Sequence, residues 1–179
     1  VQGAAIKPLS SPKLGSADAE DIQALVDRIK EAKLPVLLLG MRASGVKETQ
    51  AIRHLVAKTG LPVVETFQGA GIISRELEEH FFGRVGLFRN QPGDMLLKRS
   101  DLVIAVGYDP IEYEARNWNA EKDARVIVID EVPMEIDPFM QPEVELMGSI
   151  AKIIEQLSKA IDQYHLSEDA HNYLSLIHI

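Results

Sequence analysis

Residues 88–91, Phe88-Arg89-Asn90-Gln91, put an aromatic ring, a cation and two amides side by side just ahead of a predicted helix opened by Pro92. A guanidinium donates two parallel hydrogen bonds from a planar fork, so Arg89 suits a carboxylate or a phosphate. A plainer reading has Asn90 or Gln91 capping the helix while Asp94 pairs with Lys98 along it. Polar loop residues often carry function, and the residue types leave both readings open.

A second candidate is a crevice built from Gly40, Met41, Arg42, Tyr108, Asp109, Glu112 and Asp130. Gly40-Met41-Arg42-Ala43-Ser44-Gly45 follows an apolar strand and opens a helix, where backbone N–H groups hold phosphate in some folds. It lacks the spacing of a G-x-G-x-x-G or P-loop motif, so a glycine-eased strand-to-helix turn is the favoured expectation. Tyr108-Asp109-Pro110-Ile111-Glu112-Tyr113 leaves another strand, and ligands of open parallel sheets lie beyond such carboxyl ends. Asp109 and Glu112 therefore line a crevice or cap the turn that Pro110 stiffens. Asp130 also ends a strand but comes several elements after the glycine turn. The ribose-binding acid of a nicotinamide fold comes at the next strand, so Asp130-Glu131 is expected to cap a turn.

Other chemistries lack their residues. The chain has no cysteine, which excludes disulfides and thiolate sites. The five histidines, at 54, 80, 165, 171 and 178, show no ligand spacing. His171 and His178 share a predicted helix face and are expected to be solvated. No metal or cofactor site is expected within these 179 residues. A net charge of -8 without a basic cluster argues against nucleic acid. The apolar run at residues 35–40 is too short to span a membrane, and cysteine-free composition fits a cytoplasmic setting.

The elements that must position these residues follow from the hydrophobic pattern. Residues 35–40, 61–66, 101–107 and 125–130 read as strands, the continuous apolar runs among them as strands covered on both faces, with residues 144–147 as a short edge strand. Helical spacing joins Ile22, Leu25, Val26 and Ile29 behind a Ser16 cap, and a second helix runs from about Ser44 to Thr59 before Gly60 and Pro62. A third begins at Pro92, and a long one follows Gly148. Trp118 is expected to anchor the loop that follows it. Strand and helix alternate, which predicts a doubly wound α/β domain with a mainly parallel sheet and helices on both faces. Residues 1–15 are expected to be a linker, 16–165 the domain, and 166–179 the start of a helical linker. The start at Val1 and the apolar final residues suggest a piece of a longer polypeptide.

Within this pattern, Leu34-Pro35-Val36, Glu65-Thr66-Phe67-Gln68-Gly69-Ala70-Gly71, the run from Phe82 to Asp94, the run from Gly107 to Tyr113, and Trp118-Asn119 occur in an order that resembles the central domain of catabolic acetolactate synthases. The resemblance implies a three-domain parent that joins two pyruvates to 2-acetolactate with loss of CO2. It places thiamine diphosphate and Mg2+ in the N- and C-terminal domains, which become partners of this one, and a homo-oligomeric parent. The family's magnesium sequence begins Gly-Asp-Gly and closes with paired asparagines; Gly93-Asp94-Met95 is not that sequence. Relatives that make branched-chain amino acids bind flavin through an Arg-x-Asp-Asp-Arg type segment. This chain has Asp109 and Glu112 in that place, so FAD is not expected, because a carboxylate near a diphosphate repels it. Set against the family, residues 88–91 are candidates to line the active cleft at the second pyruvate. The fragment alone is expected to be inactive. The alternatives are a flavin-binding central domain, as in pyruvate oxidases or biosynthetic acetohydroxyacid synthases, and a non-catalytic spacer that docks its neighbours.

Overall fold

The computed structural model describes Ser10 and residues 12–177. Six parallel strands form one sheet: β1 (Pro35–Leu39), β2 (Val63–Thr66), β3 (Phe81–Val85), β4 (Leu102–Val106), β5 (Arg125–Asp130) and β6 (Val144–Met147), in the spatial order β3-β2-β1-β4-β5-β6. The chain steps outward from β1 to β3, then returns to lay β4 on the other side of β1. This reversal opens a crevice above the carboxyl ends of β1 and β4.

Both faces of the sheet are covered, which explains the unbroken apolar strands. Leu37 and Leu39 face one core with Ile52, Leu55, Ile153 and Leu157, from α2 (Val46–Thr59) and α4 (Ile150–Ala160). The intervening Val36 and Leu38 face the other with Leu96, Leu97 and Leu174, from α3 (Pro92–Arg99) and α5 (Glu168–Ile177). That alternation is the two-residue period of a strand. α1 (Ala19–Glu31) lies on the first face through Ile22, Leu25, Val26 and Ile29.

Three local features go beyond the sequence pattern or depart from it. Asp18, not Ser16, stands at the N-cap position of α1, and its side chain makes no capping hydrogen bond. The Gln156 side chain accepts from Ala17 N and donates to Ala17 O, both at 3.0 Å, and the helix starts only beyond that pairing. β3 is a strand that the apolar pattern does not signal. Its register gains a residue between Phe81 and Arg84, where Gly83 has φ 100°, and such a bulge breaks the alternation that marks a strand. Lastly, α5 packs on the body: Leu166, Ala170, Leu174 and Ile177 are buried, and Arg99 stands 4.5 Å above the Tyr173 ring. Residues 1–9, 11 and 178–179 fall outside the described residues, and with them most of the expected linker and His178.

Candidate functional site

At the crevice, two glycines let the β1 and β4 turns press together. A Cβ on Gly40 would lie 2.5 Å from Tyr108 Cα and closer still to Gly107 O. Gly107 has φ 56°, and its own Cβ would strike the backbone of Arg42 and Ala43. The turn at Met41–Ala43 is therefore welded to the end of β4, and its amides have partners. Met41 N donates to Glu112 Oε1, Arg42 N to Gly107 O, Ala43 N to Gly40 O and Ser44 N to Met41 O, all at 3.1 Å.

Arg42 crosses the crevice. Its Nε and one terminal nitrogen each donate at 2.8 Å to the two oxygens of Asp130, which is 1% exposed. The remaining donors reach Tyr108 O at 3.0 Å and Asp109 Oδ2 at 3.3 Å. The hydrogen bonds that Arg42 donates to Asp130, with the charges of Asp130 and Asp109, raise the guanidinium pKa further despite partial burial. Asp130 also accepts from Glu131 N and Val132 N, so the expected turn cap forms alongside the ion pair. Asp109 Oδ1 accepts from Ile111 N, tightening the Pro110 turn. Glu112 spans the crevice, with one oxygen on Met41 N and the other on the Thr66 hydroxyl. Tyr108 contributes only its carbonyl here. Its side chain is fully buried, edge-on to Trp118 at 6.4 Å, and Trp118 is itself the core anchor expected for its loop.

Residues 88–91 form a separate group. They lie between β3 and α3, with Leu87 and Phe88 each 65% exposed and Arg89, Asn90 and Gln91 also open to solvent. Asn90 adopts φ 59°, a left-handed conformation that asparagine tolerates. Gln91 takes the helix cap position, and its N–H donates to Asp94 Oδ2 at 2.9 Å. The other Asp94 oxygen accepts the Tyr113 hydroxyl at 2.5 Å, and the expected pairing with Lys98 does not form. Burial and this bond to Asp94 push the Tyr113 phenol well above its ordinary range, with Arg89 pulling the other way. Arg89, Asn90, Tyr113 and Arg116 border a cavity of about 560 Å³ beside α3. Phe67 and Ile111, both exposed, stand with Leu87 and Phe88 at the carboxyl ends of β2, β4 and β3.

Sequence reasoning missed four polar residues that shape these loops: Glu65, Thr66, Asp94 and Tyr113. The signal that could have found the first two is an acid or hydroxyl at the carboxyl end of a buried strand, followed by a glycine-rich turn. Glu65 is 1% exposed and accepts from Gly71 N at 3.1 Å and Ile73 N at 2.8 Å, which folds the 67–73 loop back over β2. Burial raises its carboxyl above the ordinary glutamate value, against those hydrogen bonds and Arg84. A raised carboxyl favours folding below the unfolded value, and that contribution fades as pH climbs through the folded one. The stability advantage of wild type over Glu65→Gln should therefore shrink as pH rises from the ordinary glutamate range toward neutrality, measured as urea midpoints; a gap that widens with pH contradicts this. The fold also brings His80 and His171 to one cavity of about 210 Å³ with Glu79. Among the described residues, no group of three or more acids or histidines is placed to hold a metal ion.

Residues 22–157 match the family described as thiamine pyrophosphate enzyme, central domain. The chain belongs to this family. Among its relatives in the thiamine pyrophosphate enzymes, the acetolactate synthase of Bacillus subtilis (strain 168) is 43% identical over 170 residues, 95% of this chain and 30% of the relative. The catabolic acetolactate synthase of Raoultella terrigena is 34% identical over 160 residues, 89% of this chain and 28% of that one. An X-ray structure of a thiamin diphosphate-dependent enzyme from Mycobacterium smegmatis superposes with a TM-score of 0.63 at 21% identity, over 90% of this chain and 31% of that one, and shows the shared fold. The chain spans about 30% of the length of the curated relatives it matches.

Among the described residues, the crevice is not equipped to hold a diphosphate. The described residues offer no metal-holding cluster for the diphosphate, and the crevice arginine is already bound to Asp130 and Asp109. No step of thiamine chemistry is assigned to this chain. No helix among the described residues is long and apolar enough to cross a membrane.

Proposed function

We propose that the chain is the central domain of a catabolic acetolactate synthase that holds no flavin and does not turn over pyruvate by itself. The parent joins two pyruvates to 2-acetolactate with release of CO2 in the cytoplasm, as a homo-oligomer. Thiamine diphosphate and Mg2+ sit in the flanking N- and C-terminal domains, which are this domain's partners. Residues 16–165 form the body of the domain, residues 1–15 lead into it, and residues 166–179 lead out by way of α5, which packs against that body.

The observation that carries this reading is the filled crevice. A dinucleotide at a sheet's reversal point needs free backbone donors and an unengaged cation. Here the 41–44 amides are bonded within the chain, and Arg42 is held by two carboxylates. At the same end of the sheet, Phe88 and Arg89 stand exposed, where an apolar ring and a planar cation suit a small α-keto acid. Their role is to bind and orient the carboxylate of the second pyruvate.

In the complete enzyme, Arg89→Ala is expected to raise the pyruvate KM roughly 10- to 100-fold, the range of one charge-assisted hydrogen bond of about 1.5–3 kcal/mol. Steady-state kinetics over pyruvate concentration checks this. An unchanged concentration dependence removes Arg89 from the site.

A further inference from the structure

We infer that Tyr113 is a positioning residue for residues 88–91, which it holds in place through the buried carboxylate of Asp94. This rests on the reading of residues 88–91 as cleft lining. Asp94 occupies the third position of α3, where a helix cap requires one of its oxygens, and Gln91 N takes that one. The second oxygen is unnecessary for capping. It accepts the Tyr113 hydroxyl, from the loop after β4, 19 residues away. The carboxylate thus ties the last residue of one loop to the middle of another, at a point only 1% exposed.

The opposite end of the segment is pinned to the same place. Gly86, at φ 113°, comes so close to residues 112 and 113 that a Cβ on it would sit 3.0 Å from Glu112 O and 3.7 Å from Tyr113 Cβ. Between these two anchors, Leu87, Phe88 and Arg89 project into solvent, and Asn90 completes the return in its left-handed conformation. Tyr113 is itself held on a rigid base. Its carbonyl accepts the hydroxyl of the fully buried Tyr108, which Trp118 Nε1 contacts at 3.4 Å. Its neighbour Glu112 is fastened to Thr66 and Met41. Residues 108–113 therefore act as a fixed frame, and the Tyr113 hydroxyl is the polar link from this frame to Asp94.

Tyr113→Phe deletes that link and keeps the ring. Trypsin digestion of this chain under native conditions, followed by mass spectrometry of the Arg89–Asn90 bond, should show cleavage about fivefold faster or more, because local opening exposes the segment. Asp94→Asn, which turns an amide toward one of the two donors, should accelerate the same cut. Cleavage at the wild-type rate in both variants would overturn the inference. In the complete enzyme, Tyr113→Phe should raise the pyruvate KM about fivefold or more with kcat within about twofold, and should add nothing in an Arg89→Ala background, since both changes act through one contact. An additive effect, or no KM change where Arg89→Ala has one, would refute positioning. If Arg89→Ala itself leaves pyruvate dependence unchanged, the cleft reading falls, and the trypsin rates still decide whether Tyr113 holds the segment.

Discussion

Gly107→Ala is expected to destabilise the domain by about 2–5 kcal/mol, the sum of overpacking (about 1–3) and a left-handed alanine (about 1–2). The collision is with main chain, which no rotamer change relieves. An added Cβ would lie 2.7 Å from the carbonyl carbon of Arg42 and closer to Ala43 N. Moving the turn away would also break the 3.1 Å bond from Arg42 N to Gly107 O and shift Arg42 off Asp130. Gly71→Ala separates the two contributions. Gly71 has φ 93°, and a Cβ added there would meet nothing within 4 Å, so only the conformational cost applies. Urea unfolding of both variants measures the difference, and a Gly107→Ala midpoint equal to that of Gly71→Ala would contradict the weld between the two turns.

The second large effect is asymmetric. Arg42→Met should cost about 3–5 kcal/mol, nearer the lower figure, because it strands the buried Asp130 carboxylate with only Glu131 N and Val132 N. Asp130→Asn should cost less, on the order of 1–2 kcal/mol. The Arg42 side chain is 23% exposed and keeps Asp109 and Tyr108 O as partners, so its charge is never left alone in the core. Denaturant midpoints of the two variants test this ordering, and a larger loss for Asp130→Asn would mean that the arginine, not the carboxylate, is the costly group to strand.

The crevice explains why these positions were visible as candidates and ambiguous as chemistry. Arg42, Asp109, Glu112 and Asp130 all sit at or just after strand ends, where ligands of parallel sheets bind, and the strand ends were legible from apolar runs. What each charge does was not legible. Arg42 and Asp130 are 88 residues apart, and the same types at the same strand ends suit a ligand or each other. The segment at 88–91 shows the same limit: a cap and an exposed cation were both readable, but the Tyr113 bond that occupies the second Asp94 oxygen was not.

By itself, the order of residues determined the alternation of strands and helices, the burial of β1, β4 and β5 on both faces, and the family to which the chain belongs. Those are properties of local periodicity and of short motifs, and each is complete within a few residues. The tertiary structure alone decided that β3 forms an edge strand through a bulge, that α5 docks on the body, and that the crevice is closed by its own ions. Such outcomes depend on which strand ends become neighbours. The reversal between β1 and β4 brings residues 40–42, 107–112 and 130 to one point, and no local pattern carries that distance.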